Sequence, residues 1–229
     1  MNCTFIKVCG MRDADNIREV ERLRIGDGTS GNNVRRQRGK PMELGIDLMG
    51  FIFWPHSSRY VSERPAYLPT KCKRVGVFVD EDTEMIRKIA DDYGLNYVQL
   101  HGHESPAYIN RLRSLSGDSI AVIKAFNIAT ADDFTQTEAY KGIVDYFLFD
   151  TKGKSVGGNG EKFDWSVLAD YTGDTPFLLS GGIGPDDAKY LKAFHHLKCV
   201  GIDLNSRFET APGIKDVEAL RCFLTQLIP

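Results

Sequence analysis

The 229-residue sequence contains no apolar run of the roughly 18 to 20 residues that a membrane-spanning helix needs. Its first residues also lack a basic stretch followed by a long apolar segment, so the reading is of a cytoplasmic protein. An excess of positive charge is missing too. The formal net charge is -2 and the isoelectric point about 6.2, which makes neither nucleic acid nor an anionic membrane an expected partner and leaves room for a small neutral or anionic ligand. Cysteine is sparse and badly placed for cross-linking: Cys3, Cys9, Cys72, Cys199 and Cys222 are odd in number and scattered, with no C-x-x-C pair. That excludes a disulfide framework and a structural zinc site, and it makes Cys9 a free thiol by expectation.

What is present is apolar content and rhythm. With 42% hydrophobic residues the chain can bury one sizeable core, and a single domain over 1–229 is expected. Short β-branched or aromatic runs alternate with longer amphipathic ones about eight times. The strand candidates are TFIKVC from Thr4, DLMGFIF from Asp47, RVGVFV from Arg74, YVQL from Tyr97, IAVIKAF from Ile120, VDYFLFD from Val144, FLLS from Phe177 and CVGID from Cys199. Helical patterns are expected between them. The clearest is the last, where Val217, Leu220, Phe223, Leu224 and Leu227 line one face; TEMIRKIADDYG, from Thr83, ends in a glycine stop. Strands that alternate with helices form parallel sheets, and eight such units predict an α/β protein of the closed (β/α)₈ TIM-barrel class.

One stretch breaks the rhythm. Arg24 to Met42 is rich in Gly, Asn and Arg and reads as an inserted flexible loop (24–42) between the first helix and the second strand. Gly26, Gly28 and Gly31 carry the spacing of a dinucleotide fingerprint, but they follow a helix where the fingerprint follows a strand. KGKS, at Lys152 to Ser155, echoes the end of a P-loop whose first glycine would fall on Leu148. HGHE, at His101 to Glu104, offers two histidines without a third ligand at metal spacing, so no metal is expected.

Parallel barrels gather their sites at the carboxyl ends of strands. Cys9 ends the first strand, Arg59 follows the second, Gln99 and His101 close the fourth, and Asp150 terminates the sixth. SGGIGPDD (Ser180 to Asp187) and DLNSRFE (Asp203 to Glu209) follow the seventh and eighth, where barrels often hold a phosphate. Gly181 and Gly182 would let main-chain N–H groups approach it, Pro185 suits the opening of a helix that points at it, and Asn205 and Ser206 would add donors. A carboxylate at the end of YFLF is costly to bury without a role or a partner, whereas Cys9 or Arg59 taken alone is ambiguous.

Taken in order, KVCG at Lys7, MGFIFWPHSSRYV at Met49, VGVFVD at Val75, VQLHGHE at Val98, FD at Phe149, GGNGEKFDW at Gly157, LLSGGI at Leu178 and PGIKD at Pro212 resemble the phosphoribosylanthranilate isomerase family over nearly the whole chain. The resemblance implies a (β/α)₈ barrel without a cofactor that acts in tryptophan biosynthesis. Its reaction is the Amadori rearrangement of N-(5-phosphoribosyl)anthranilate to 1-(2-carboxyphenylamino)-1-deoxyribulose 5-phosphate. By resemblance Asp150 is the general acid at the furanose ring oxygen and Cys9 the base at C2′. Arg59 would meet the anthranilate carboxylate, and Gly181, Gly182, Asn205 and Ser206 the phosphate, with Lys7, Gln99 and His101 in the same substrate site. Lys7 lies two residues before Cys9 and so faces the same side of its strand.

The sequence departs from the family pattern in the turn after the eighth strand, commonly D-V-S-S-G-V-E. Asn205 replaces the first serine there and Arg207 the glycine, which would strain Arg207 if the position needs positive φ. The loop from Lys152 to Lys162 keeps the family glycines and is expected to fold over the substrate. Two other readings stand beside this one: another ribose-phosphate aldose–ketose isomerase, whose histidine-pathway version typically uses two aspartates, and a non-catalytic barrel that binds a phosphorylated metabolite. The chain is compatible with a monomer or a homodimer.

Overall fold

The computed structural model describes residues 5–26, 36–37, 40–41, 44–150 and 165–228. Eight short strands carry the fold: β1 (Phe5–Val8), β2 (Leu48–Ile52), β3 (Lys73–Phe78), β4 (Tyr97–Leu100), β5 (Ala121–Asn127), β6 (Tyr146–Asp150), β7 (Phe177–Ser180) and β8 (Cys199–Leu204). Every expected strand forms. They pair in parallel in sequence order, and β1 closes the barrel by pairing with both β2 (Val8 opposite Met49) and β8 (Lys7 opposite Asp203).

Strand alternation sorts the side chains into two cores. Leu48, Val75, Ile123, Ala125, Leu148 and Leu178 fill the barrel interior, with Phe5, Tyr97 and Tyr146 packed below them. Their sequence neighbours Ile6, Val8, Met49, Val98, Phe147, Phe149 and Leu179 face the outer shell. Lys7, Gln99 and Asp203 belong to the inward set and are almost fully buried, so the interior turns polar toward the carboxyl ends of the strands.

The shell is uneven. Helices α1 (Ala14–Glu21), α2 (Thr83–Tyr93), α3 (Pro106–Ser116), α4 (Ala188–Ala193) and α5 (Val217–Leu227) are α-helical. In α2 the Asp82 side chain caps the first turn, and Gly94 ends the helix in the left-handed conformation, as its glycine stop predicts. Leu220, Phe223 and Leu224 of α5 are buried along the expected stripe. Between β2 and β3, where a helix is expected, residues 53–72 form turns and coil. Pro55, Pro65 and Pro69 interrupt that segment and remove N–H donors from any helical ladder. Glu21 pins it from the end of α1: its carboxylate accepts from the Tyr67 hydroxyl and the Thr70 and Lys71 N–H groups, and the Arg18 guanidinium lies 4.6 Å from the Tyr67 ring centre.

Between β5 and β6, and between β6 and β7, the connections at Ala131–Tyr140 and Trp165–Asp170 are 3₁₀-helical. An aromatic cluster covers the strands here: Phe149 packs at 4.7 Å from Phe177, 5.0 Å from Tyr171 and 5.3 Å from Phe134, ring centre to ring centre. In the expected insertion (24–42), Arg24–Ile25 pairs antiparallel with Leu44–Gly45 just beyond its end, and Arg36–Gln37 with Lys40–Pro41 within it. Of the glycine fingerprint, Gly26 is described, with φ +105°, while Gly28 and Gly31 lie outside the described residues, as do Cys3 and the Lys152 to Lys162 loop with its KGKS motif.

Candidate active site

A cavity of about 440 Å³ opens at the carboxyl ends of the strands. Its wall is the top of the inward set: Cys9 after β1, Ile52 of β2, Val77 of β3, Gln99 and His101 at β4, Asp150 of β6, Ser180 to Ile183 after β7, and Asp203, Asn205 and Ser206 at β8. Eight of the ten residues singled out from the sequence meet here: Cys9, Gln99, His101, Asp150, Gly181, Gly182, Asn205 and Ser206. Lys7 lies under the floor and Arg59 beside the wall.

Cys9 is 3% exposed. Burial pushes its thiol above the ordinary value; Lys7 is the strongest opposing influence, Asp203 adds to the rise, and Lys215 works against it. The Lys7 ammonium is fully buried and donates to Asp203 Oδ1 at 2.9 Å. Burial acts to lower the Lys7 pKa, but Asp203 and Cys9 outweigh it and the net shift is upward. Ser180 Oγ donates to the other Asp203 oxygen at 3.3 Å. Gly50 makes room for the sulfur, since a Cβ there would stand 2.7 Å from Cys9 Sγ. Neither Gly50 nor Asp203 stood out in the sequence as a partner of Cys9; the strand register that brings them together is the only signal for them.

Across the cavity His101 Nε2 lies 3.9 Å from Asp150 Oδ2. Gln99 Nε2 stands 3.1 Å from His101 Nδ1, which selects the tautomer with hydrogen on Nε2, toward Asp150. Burial lowers the His101 pKa against the pull of Asp150, so the imidazole is neutral near pH 7. Gln99 Oε1 is buried in the wall with no hydrogen-bond partner among the described residues.

Arg59 is held by Glu209 through three contacts, Nε to both carboxylate oxygens at 2.9 and 3.0 Å and Nη2 to Oε2 at 2.6 Å. Glu209 also accepts from Lys215 Nζ at 2.5 Å, and Lys215 donates to Asn205 Oδ1 at 2.8 Å. Because lysine only donates, this bond fixes the Asn205 amide with its oxygen turned to Lys215 and leaves its NH₂ group as the free end. Arg59 and Asn205 approach each other across Gly10, whose φ of +77° any side chain would strain and whose added Cβ would fall 2.7 Å from Arg59 Cδ.

After β7, Gly181 and Gly182 adopt φ of +99° and +62°, left-handed values that favour glycine at both positions. The turn at Pro185–Asp187 is 3₁₀ and leads into the six-residue α4, and the Gly184 N–H is taken by Asp187 Oδ2 at 2.7 Å. The expected helix terminus is therefore short, and its first N–H is already occupied. Arg207 sits in the 3₁₀ turn Ser206–Phe208, and Asp80 is the one non-glycine residue with positive φ among the described residues, so Arg207 carries no backbone strain. Of the HGHE histidines, His101 lines the cavity while His103 is exposed and pairs with Asp80. Among the described residues no group of three or more His, Cys, Asp or Glu is placed to hold a metal ion.

A second, larger cavity of about 700 Å³ lies at the amino ends of the strands, lined by Phe5, Arg24, Asp47, Cys72, Lys73, Arg74 and Tyr97 among others. Burial and the nearby Glu21 push the Cys72 thiol up to about 12, which leaves it protonated.

A family model described as N-(5′-phosphoribosyl)anthranilate (PRA) isomerase matches residues 29–226. The N-(5′-phosphoribosyl)anthranilate isomerase of Phocaeicola vulgatus is 46% identical over 223 residues, 97% of each chain. The crystal structure of phosphoribosyl anthranilate isomerase from Thermotoga maritima superposes with a TM-score of 0.70 at 27% identity over 98% of both chains. A structure of the isomerase in complex with reduced 1-(o-carboxyphenylamino)-1-deoxyribulose 5-phosphate does so with a TM-score of 0.68 at 26% identity, again over 98% of both. With the barrel, the cavity and these likenesses together, the chain belongs to the phosphoribosylanthranilate isomerase family.

Proposed function

We propose that the chain catalyses the Amadori rearrangement of N-(5-phosphoribosyl)anthranilate in tryptophan biosynthesis, with Asp150 as general acid and Cys9 as general base. The observation that carries the assignment is the placement of both groups in the wall of one cavity at the carboxyl ends of the strands.

Asp150 gives a proton to the furanose oxygen as the C1′–O bond breaks, and the nitrogen lone pair forms a protonated Schiff base. An acid in this position has to hold its proton near neutrality. Neutral His101, 3.9 Å from Asp150 Oδ2, adds no positive charge that would favour the ionised carboxylate. The Cys9 thiolate then takes the C2′ proton; the electron pair makes a C1′–C2′ double bond and returns the nitrogen to an enamine, whose enol becomes the ketone. Hydrogen moves between carbons with no net oxidation. Burial makes the thiolate the minority form, and Lys7 is the group that favours it.

For the substrate, the NH₂ end of Asn205, the Ser206 hydroxyl and the main chain at Gly181 and Gly182 supply donors to the phosphate. Arg59 would meet the anthranilate carboxylate through Nη1, which bonds to Ser58 Oγ at 3.5 Å and not to Glu209. Gln99 Oε1 is placed to accept a sugar hydroxyl. The chain works in the cytoplasm on a small phosphorylated substrate, as monomer or homodimer, without metal or cofactor. No helix among the described residues is long and apolar enough to cross a membrane.

The test follows the fluorescence of freshly made phosphoribosylanthranilate with wild type and Asp150→Asn. Wild type should consume it, and Asp150→Asn, which keeps the shape and loses the acid, should be slower by about 10² to 10⁴. A wild type without turnover would sink the isomerase reading, and an Asp150→Asn variant of full activity would sink the assignment of the acid.

A further inference from the structure

The cavity wall poses an electrostatic problem for a phosphorylated ligand. A phosphate monoester carries a charge near -1.5 to -2 at neutral pH, with a second pKa of about 6. Among the described residues the wall contains two carboxylates, Asp150 and Asp203, and neither lysine nor arginine. The nearest cations are committed: Lys7 to Asp203, Lys215 to Glu209 and Asn205, Arg59 to Glu209.

Arg207 follows Ser206 in the turn after β8 and is exposed. Its Nη2, Cζ and Nε lie 3.0, 3.1 and 3.1 Å from the point where a Cβ on Gly184 would stand. Three atoms of one plane at nearly equal distance mean that the guanidinium lies face-on over Gly184. Gly184 itself is extended, with φ -129° and ψ 177°, so its conformation suits any residue. What the glycine supplies is the space that Arg207 occupies. The side chain thus bridges the turn after β8 to the turn after β7, two residues along from Gly182, and it enters no ion pair among the described residues. That turn carries two acids, Asp186 and Asp187, of which Asp187 accepts from the Gly184 N–H through Oδ2.

We propose that Arg207 is a phosphate-recognition residue, laid over Gly184 to bring positive charge to the rim of a site whose described wall has none. The inference rests on the isomerase reading for the identity of the ligand as a ribose 5-phosphate ester. The charge argument itself holds for any phosphate. Because the phosphate lies away from the reacting carbons, Arg207 serves binding more than the chemical step.

The experiment titrates inorganic phosphate calorimetrically into wild type, Arg207→Gly, Arg207→Lys and Gly184→Ala at low and at about 0.5 M salt, and measures kcat and KM alongside. The expected result is a Kd at least tenfold weaker for Arg207→Gly at low salt, a gap that narrows at high salt, and a loss below threefold for Arg207→Lys. Gly184→Ala, which keeps the charge but displaces the guanidinium, should fall between. KM should follow Kd while kcat stays within about twofold. Unchanged phosphate binding in Arg207→Gly overturns the proposal, and so does a loss that ignores salt and comes with a lowered Tm, since that marks a purely structural bridge. A wild type that binds phosphate through Arg207 but fails to turn over phosphoribosylanthranilate would support Arg207 and refute the isomerase reading, so the two failures are distinguishable.

Discussion

The two ends of this barrel both have a cavity, a thiol and several charges, yet they are wired differently. At the amino end the larger cavity has side chains that bond to main chain. Arg74 donates to the carbonyls of Pro69 and Tyr93, Arg24 to that of Leu23, and Asp47 accepts from the Ile6 N–H. At the carboxyl end side chains bond to side chains: Lys7 to Asp203, Gln99 to His101, Arg59 to Glu209, Lys215 to Asn205. Such pairs are a small minority of protein hydrogen bonds, about 10 to 15%. Bonds to main chain hold the fold, whereas chains of ionisable side chains set protonation states, and cavity size distinguishes neither.

The contrast can be broken most severely at Lys7. Lys7→Met should leave Asp203 buried without its cation and cost about 3 to 5 kcal/mol, as well as removing the influence that favours the Cys9 thiolate. Denaturant unfolding and kcat/KM should both register it. At Gly50→Ala the added methyl displaces the Cys9 sulfur, and the expected cost is about 1 to 3 kcal/mol with kcat/KM lower by one to two orders of magnitude; full activity would show that the thiol position is not critical.

The amino end should answer to pH through stability instead. Burial raises the Glu21 pKa, but bonds from Tyr67 and the Lys71 and Thr70 N–H groups outweigh it and the net shift is downward. The stability this carboxylate contributes is therefore full above its unfolded value and lost as pH falls through the lower folded one. Glu21→Gln should flatten the fall of Tm between about pH 5 and pH 3 and leave kcat/KM unchanged. The smallest effect is expected from shortening residues 27–43. Arg24 and Gly45, which flank that stretch, line the amino-end cavity, so assembly or stability should respond while kcat/KM stays within a few fold.

Much of this was legible in the chain. All eight strands follow from apolar runs of strand length, and eight strand-end residues meet in one cavity because parallel strands deliver their carboxyl ends to one face. The partners of those residues were not legible. Lys7 and Asp203 are 196 residues apart, and Arg59 and Glu209 are 150 apart, so only the closure of the barrel brings them together. Gly50 and Gly184 look like ordinary glycines until the sulfur and the guanidinium they accommodate are in view. The absent helix between β2 and β3 had a local signal, three prolines in 53–72, which the expectation of strict alternation overrode.

The most direct test compares the thiols at the two ends of the barrel in one assay, the loss of phosphoribosylanthranilate fluorescence with wild type, Cys9→Ala and Cys72→Ala at equal concentration and with folding checked by circular dichroism. The account predicts a loss of about 10² to 10⁴ in kcat for Cys9→Ala and wild-type turnover for Cys72→Ala. A folded Cys9→Ala enzyme that retains wild-type kcat would contradict it.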